Sequence, residues 1–139
     1  MKGPKLLGSN GSKGQSLTEF AMGITFILVM MAGIMDLGRA YFSFLSLRDA
    51  AQEGALYGSI APPDTTGIRA RVRDSSGWPV DFNTFTDAQI QVDITGPACA
   101  GSDIKVTLNL DFMLAAPFLG GQALPLVAEA TDTILQPPC

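Results

Sequence analysis

Two acids bracket the most apolar stretch of this chain. Glu19 precedes it and Asp36 follows it, with Arg39 one turn further on. A carboxylate beside an apolar run is expensive in lipid, so each acid needs a partner or a purpose. Asp36 and Arg39 lie three apart on a helix and can pair with each other. The other reactive pair is Cys99 and Cys139. In a non-cytosolic segment two such cysteines read as one disulfide, and two reduced, buried thiols are the alternative. Histidine is absent, which removes the commonest general acid/base and the commonest metal ligand together. There is no P-loop, no C-x-x-C and no G-x-S-x-G. Asp93, Asp103 and Asp111 lie in no loop with calcium-ligand spacing. The expectation is a non-enzyme with no cofactor and no metal.

The elements that position these groups follow from the apolar pattern. Phe20 to Met35 is sixteen residues without a charge. As a helix it spans about 24 Å, against the ~30 Å core of a bilayer. Leu37, Ala40, Tyr41, Phe42, Phe44, Leu45 and Leu47 continue its apolar character. Lys2, Lys5 and Lys13 precede it with no acid among them, which holds the N-terminus inside by the positive-inside rule. Three readings of this segment compete. One is a secretory signal peptide, but the run ends in Ile-Met-Asp-Leu-Gly-Arg and lacks a small-x-small site. The second is a plain membrane anchor. The third is a polar leader cut after Lys13-Gly14, which releases Gln15 and leaves the helix on the mature chain.

At Gly14-Gln-Ser-Leu-Thr-Glu-Phe-Ala21 the sequence resembles a prepilin of the type IV filament superfamily. Asp36-Leu-Gly-Arg39 and Leu47-Arg-Asp-Ala-Ala-Gln-Glu-Gly-Ala55 extend the likeness to the TadE-like proteins of tight-adherence (Flp) pili. The motif residues in that second part are Asp36, Gly38, Arg39, Ala50, Ala51, Glu53 and Gly54. Ser16 and Thr18 are more polar than the family pattern. The resemblance implies cutting between Gly14 and Gln15 by a prepilin peptidase, with Glu19 fifth in the mature chain. It also implies a minor pilin or pseudopilin, inserted in the bacterial inner membrane and then carried to a pilus or the cell surface. Partners would be the peptidase, membrane lipid, other pilin subunits and the assembly machinery. The amine of Gln15 on a neighbouring subunit would then partner Glu19. Alternatively Glu19 snorkels to the interface, where the dipole at a helix start favours a negative charge.

The helix is expected to run on to Ser59, with Pro62-Pro63 ending it. Gly23, Gly33 and Gly38 are places where it could bend. Ala50, Gly54 and Gly58 share one face, with Leu47, Ala51 and Ala55 beside them. Such a small-residue stripe serves either another helix or the chain's own head. Asp64 to Asp74 reads as a short helix with its arginines solvated, and Trp78 as a cover on the edge of the core. Strict alternation at Ile90–Ile94 and at Ile104–Phe112 gives two antiparallel strands. A weaker pattern at Leu126–Ala130 gives a third. If the third strand returns beside the second, Cys139 arrives near Cys99.

The chain therefore reads as α+β: a long N-terminal transmembrane and stalk helix, then a small head with one short helix and a three-stranded antiparallel sheet. Its parts are a basic leader at 1–14, the helix at 15–59 and an extracytoplasmic head at 60–139. After Ile60 nine acids face four bases, a balance that disfavours nucleic acid. Two function classes remain: a structural subunit of a pilus-like filament active in assembly and adhesion, or a monomeric membrane-anchored binding protein.

Overall fold

The computed structural model describes residues 11–75, 78–116 and 121–139, with side chains from residue 14 onward. Most of the expected leader (1–14) lies outside the described residues. One helix, α1 (Gly11–Ile60), dominates the chain. At 1.5 Å per residue its fifty residues reach about 75 Å. Gly23, Gly33 and Gly38 do not interrupt it. Thr18 and Thr25 donate their hydroxyls to the carbonyls of Gly14 and Ala21, 3.0 and 2.8 Å away. Both hydroxyls are thereby satisfied without water in a segment that carries no head around it.

The head follows as α2 (Thr65–Asp74), a 3-10 turn at Phe82–Thr84, and strands β1 (Ile90–Thr95), β2 (Asp103–Met113) and β3 (Ala123–Thr133). Asp64 caps α2, its carboxylate accepting from the backbone N–H of Gly67 at 2.9 Å. The strands form one antiparallel sheet in the order β1-β2-β3. In the β2–β3 register Val106 faces Ala130, Leu108 faces Ala128 and Phe112 faces Leu124. On this face β3 is small opposite Val106 and Leu108 and larger opposite Phe112, and α1 packs against it.

Burial along α1 changes abruptly. Residues 14–35 are exposed, apart from a half-buried Ala32. From there Asp36, Ala40, Ser43, Leu47, Ala50 and Gly54 are buried at alternating spacings of three and four. That is the spacing of a single stripe facing one partner. Ala51, Ala55, Gly58 and Ser59 widen it toward the helix end. Gly54 and Gly58 are required there. A Cβ on Gly54 would stand 2.7 Å from Val72 Cγ2, and one on Gly58 would stand 2.5 Å from Ile104 Cδ1. The small-residue stripe therefore seats α2 and the sheet of the same chain. The core between them is Leu47, Ile68, Val72, Phe82, Ile90, Ile104, Val106 and Leu108.

The sheet runs the length of the buried half-helix. Gly58 of α1 meets Ile104, near the start of β2. At the other end Asp36 meets Ala115, just beyond β2. Eleven strand steps cover about 36 Å and twenty-two helix steps about 33 Å, so the two elements match in length.

Two expectations for the head need correction. Trp78 does not cover the core; it is 82% exposed, and Val80, Phe82 and Phe85 fill the edge in its place. The α2 arginines are not merely a solvated face. Arg69 and Arg73 both bind the carboxylate of Asp87, and Arg73 Nε also donates to the Phe85 carbonyl at 3.1 Å. Arg71 pairs with Glu53 at 3.7 Å and lies over the Tyr57 ring. The arginines thus fasten α2 to its flanking loop and to α1.

Candidate functional site

The expected site residues fall into three zones along α1. At its start, Gly14, Gln15 and Glu19 are exposed on the helix. The Gln15 side-chain amide donates to Glu19 Oε1 at 3.3 Å, four residues apart. Among the described residues no head side chain packs on this end, and the partner of the carboxylate there is a neutral amide. The surface between Glu19 and Asp36 is apolar all round, with Phe20, Met22, Phe26, Leu28 and Ile34 among its exposed side chains. A helix apolar on every side suits a membrane or a bundle interior. This is the one span among the described residues long and apolar enough to cross a membrane.

The second zone is a clamp at the end of that run. Asp36 is 5% exposed. One carboxylate oxygen accepts from Arg39 at 3.1 Å. The other accepts from the backbone N–H groups of Ala115 and Ala116, at 2.8 and 2.6 Å. The guanidinium of Arg39 also lies over the Phe112 ring, 5.3 Å from its centre. Pairing between Asp36 and Arg39 is legible in the sequence. The link to residues some eighty positions away is not, because backbone donors leave no signature in residue type. The hint that was present is the acid itself, since a charge beside an apolar run needs partners. Gly38, between the two, is half-buried with open space where a Cβ would stand.

The third zone seats the head. Ala50, Ala51 and Gly54 are buried against it, and Glu53 points out to Arg71. Near the end of α1, Tyr57 donates its hydroxyl to Asp64 at 3.0 Å. That hydrogen bond, reinforced by the negative charge of Asp64, pushes the Tyr57 phenol above its ordinary value. The hydrogen bond from Arg73 holds the Asp87 carboxyl below its ordinary value.

Cys99 and Cys139 sit at disulfide distance, with their Cα atoms 5.1 Å apart. Backbone bonds bring them together. Ile134 donates to Ser102 at 2.8 Å, and Ala100 donates to Pro137 at 2.7 Å. Leu135 donates to the Ser59 carbonyl at 2.7 Å, which satisfies one of the free carbonyls at the end of α1. The C-terminal tail therefore closes the top of the head, as Asp36 closes its base.

Among the described residues no cluster of three or more His, Cys, Asp or Glu side chains is placed to hold a metal ion. An open groove beside Trp78 is lined by Phe42, Leu45, Asp49, Glu53 and Arg71.

No curated protein and no solved structure matched the chain. The family model for TadE-like protein matches residues 14–56. Its limits coincide with the three zones: it opens at Gly14, passes through Asp36 and Arg39, and ends one residue past Ala55. In residues 14–56 this chain carries a TadE-like region, the family that its motifs resemble.

Proposed function

We propose that the chain is a minor pilin or pseudopilin, a structural subunit of a type IV or Tad-type filament. A prepilin peptidase cuts it between Gly14 and Gln15. Before assembly it spans the bacterial inner membrane once, with its N-terminus inside and its head outside. Its partners are the peptidase, membrane lipid, other pilin subunits and the assembly machinery, and its role lies in pilus assembly and adhesion.

One observation carries this reading: the TadE-like match begins at Gly14 and covers a half-helix whose apolar surface the chain's own head leaves bare. Copies of that half-helix can pack on one another in a filament once they leave lipid. In such a bundle the freed amine of Gln15 on one subunit meets Glu19 of the next, replacing the neutral amide that Glu19 holds within the chain.

Intact mass in hosts with and without the peptidase tests the processing. Loss of residues 1–14 only with the peptidase supports it, and an uncut chain in the native host overturns it. The Glu19→Ala variant separates insertion from assembly. It should enter the membrane normally and be depleted from filaments; normal incorporation would remove Glu19 from the mechanism.

The groove beside Trp78 favours a second reading, a monomeric membrane-anchored binding protein, since so exposed a tryptophan suits a partner. An uncut chain found only as a monomer in the native membrane would support that reading.

A further inference from the structure

The clamp at Asp36 fixes more than the head's attachment. Asp36 is the first residue after the apolar run, and it holds Ala115 and Ala116 at its own height along α1. The end of β2 and the start of β3 are therefore level with the end of the apolar run, Met113 being paired with Ala123 and Phe112 with Leu124. A hydrocarbon core of about 30 Å takes about twenty helical residues. Counted from Glu19, that reaches Arg39. The β2 and β3 ends at Met113 and Ala123 then stand at the outer boundary of the bilayer.

Their chemistry fits that position. From Phe112 to Ala128 the sequence carries no charge, whereas the opposite end of the sheet carries Asp93, Asp103, Lys105 and Asp132. Met113 is 54% exposed and Leu124 is 42% exposed at these ends. On α1 at the same height Leu37 and Tyr41 are exposed, and Arg39 spreads over Phe112. Apolar strand ends flanked on α1 by tyrosine and arginine, with Asp111 exposed where charge resumes, have the composition of an interfacial contact.

We propose that the adjoining strand ends of β2 and β3, at Met113 and Leu124, rest in the outer headgroup layer while the chain is in the membrane. The chain then touches the bilayer with two elements, and Asp36 is the strut that sets their relative depth. This rests on the membrane-spanning reading of α1, and the test separates the two.

In a Trp78→Phe background, single tryptophans are placed at three positions: Leu124→Trp at the start of β3, Gln91→Trp on β1 and Val29→Trp in the apolar half-helix. Each full-length chain is reconstituted in phosphatidylcholine vesicles with lipids brominated at shallow or deep acyl positions. Residue 29 is expected to be quenched by deep bromines. Residue 124 is expected to be quenched by shallow bromines with blue-shifted emission, and residue 91 to remain unquenched. Adding Asp36→Ala should reduce quenching at residue 124 and leave that at residue 29 unchanged. Quenching at 29 with water-like emission at 124 overturns the strand-end contact and spares the span. Blue-shifted emission at 124 without bromine quenching, growing with protein-to-lipid ratio, means that a second copy covers the strand ends and also overturns it. An unquenched residue 29 overturns the span and the strand-end contact together.

Discussion

The two halves of α1 are one continuous helix with opposite obligations. Residues 14–35 face outward all round, and a Cβ added at Gly23 or Gly33 would meet nothing. From Asp36 to Ile60 the same helix is the central post of a folded head, and its Gly54 and Gly58 stand hard against Val72 and Ile104. The first half has an environment to find outside the molecule; the second has found its own. Similar small residues therefore mean different things. In the first half they keep a surface smooth, and in the second they permit close packing.

The difference is open to attack, and the largest effect should come from the top of the head. If Cys99 and Cys139 are bridged, Cys139→Ser opens a loop of forty residues' separation. The loss of head stability should then approach about 4 kcal/mol in the loop-entropy model. Denaturant unfolding of the detergent-solubilised chain, followed by circular dichroism, measures it. The same loss on reduction of the unmutated chain identifies the bridge as its source.

Next comes the boundary between the halves. Asp36→Ala leaves the N–H groups of Ala115 and Ala116 without their acceptor and should cost about 2–3 kcal/mol. Hydrogen exchange should show the loss first at residues 112–116 and not at the far end of β2. Uniform loss across the sheet would mean that the clamp is not local.

Packing gives a matched pair of smaller effects. Gly54→Val pushes against the stiff side chain of Val72 and should destabilise the head by about 1–3 kcal/mol. Gly33→Val should leave head stability unchanged, since its site is open. Equal effects at the two positions would mean that the two halves of α1 do not differ in packing.

The smallest effect is electrostatic and confined to the head. Arg73 and Arg69 lower the Asp87 pKa in the folded state. A depressed value adds stability above the unfolded carboxylate value of about 4, lost as pH falls through the folded value. Asp87→Asn should flatten that acid limb. Tyr57 has the opposite sign: its raised value adds stability below the unfolded value near 10, lost as pH rises through the folded value. Unfolding midpoints across the two limbs check both.

How much of this was legible in the residues varied by element. The alternation in β1 and β2 announced the strands, because period-two burial has one geometric cause. The uncharged run and Pro62-Pro63 bounded the long helix. Trp78 misled, because size and hydrophobicity suggest burial, while Phe82 and Phe85 already filled the edge of the core with their rings 5.2 Å apart. The α2 arginines misled the other way: spacing placed them on outer faces, and nothing local indicated that Asp87 would fold back onto two of them.

What is periodic or local can be read from residue order alone: a helix apolar on every side, the pairing of Asp36 with Arg39, the strands, and a family likeness confined to α1. Which partner the small-residue stripe serves, and that Asp36 ties the foot of the sheet to the end of the apolar run, emerge only once the chain is folded. The physical reason is the same in both cases. Close packing and bonds to the backbone depend on which surfaces meet in space, and a glycine or an amide N–H has the same letter whatever it meets.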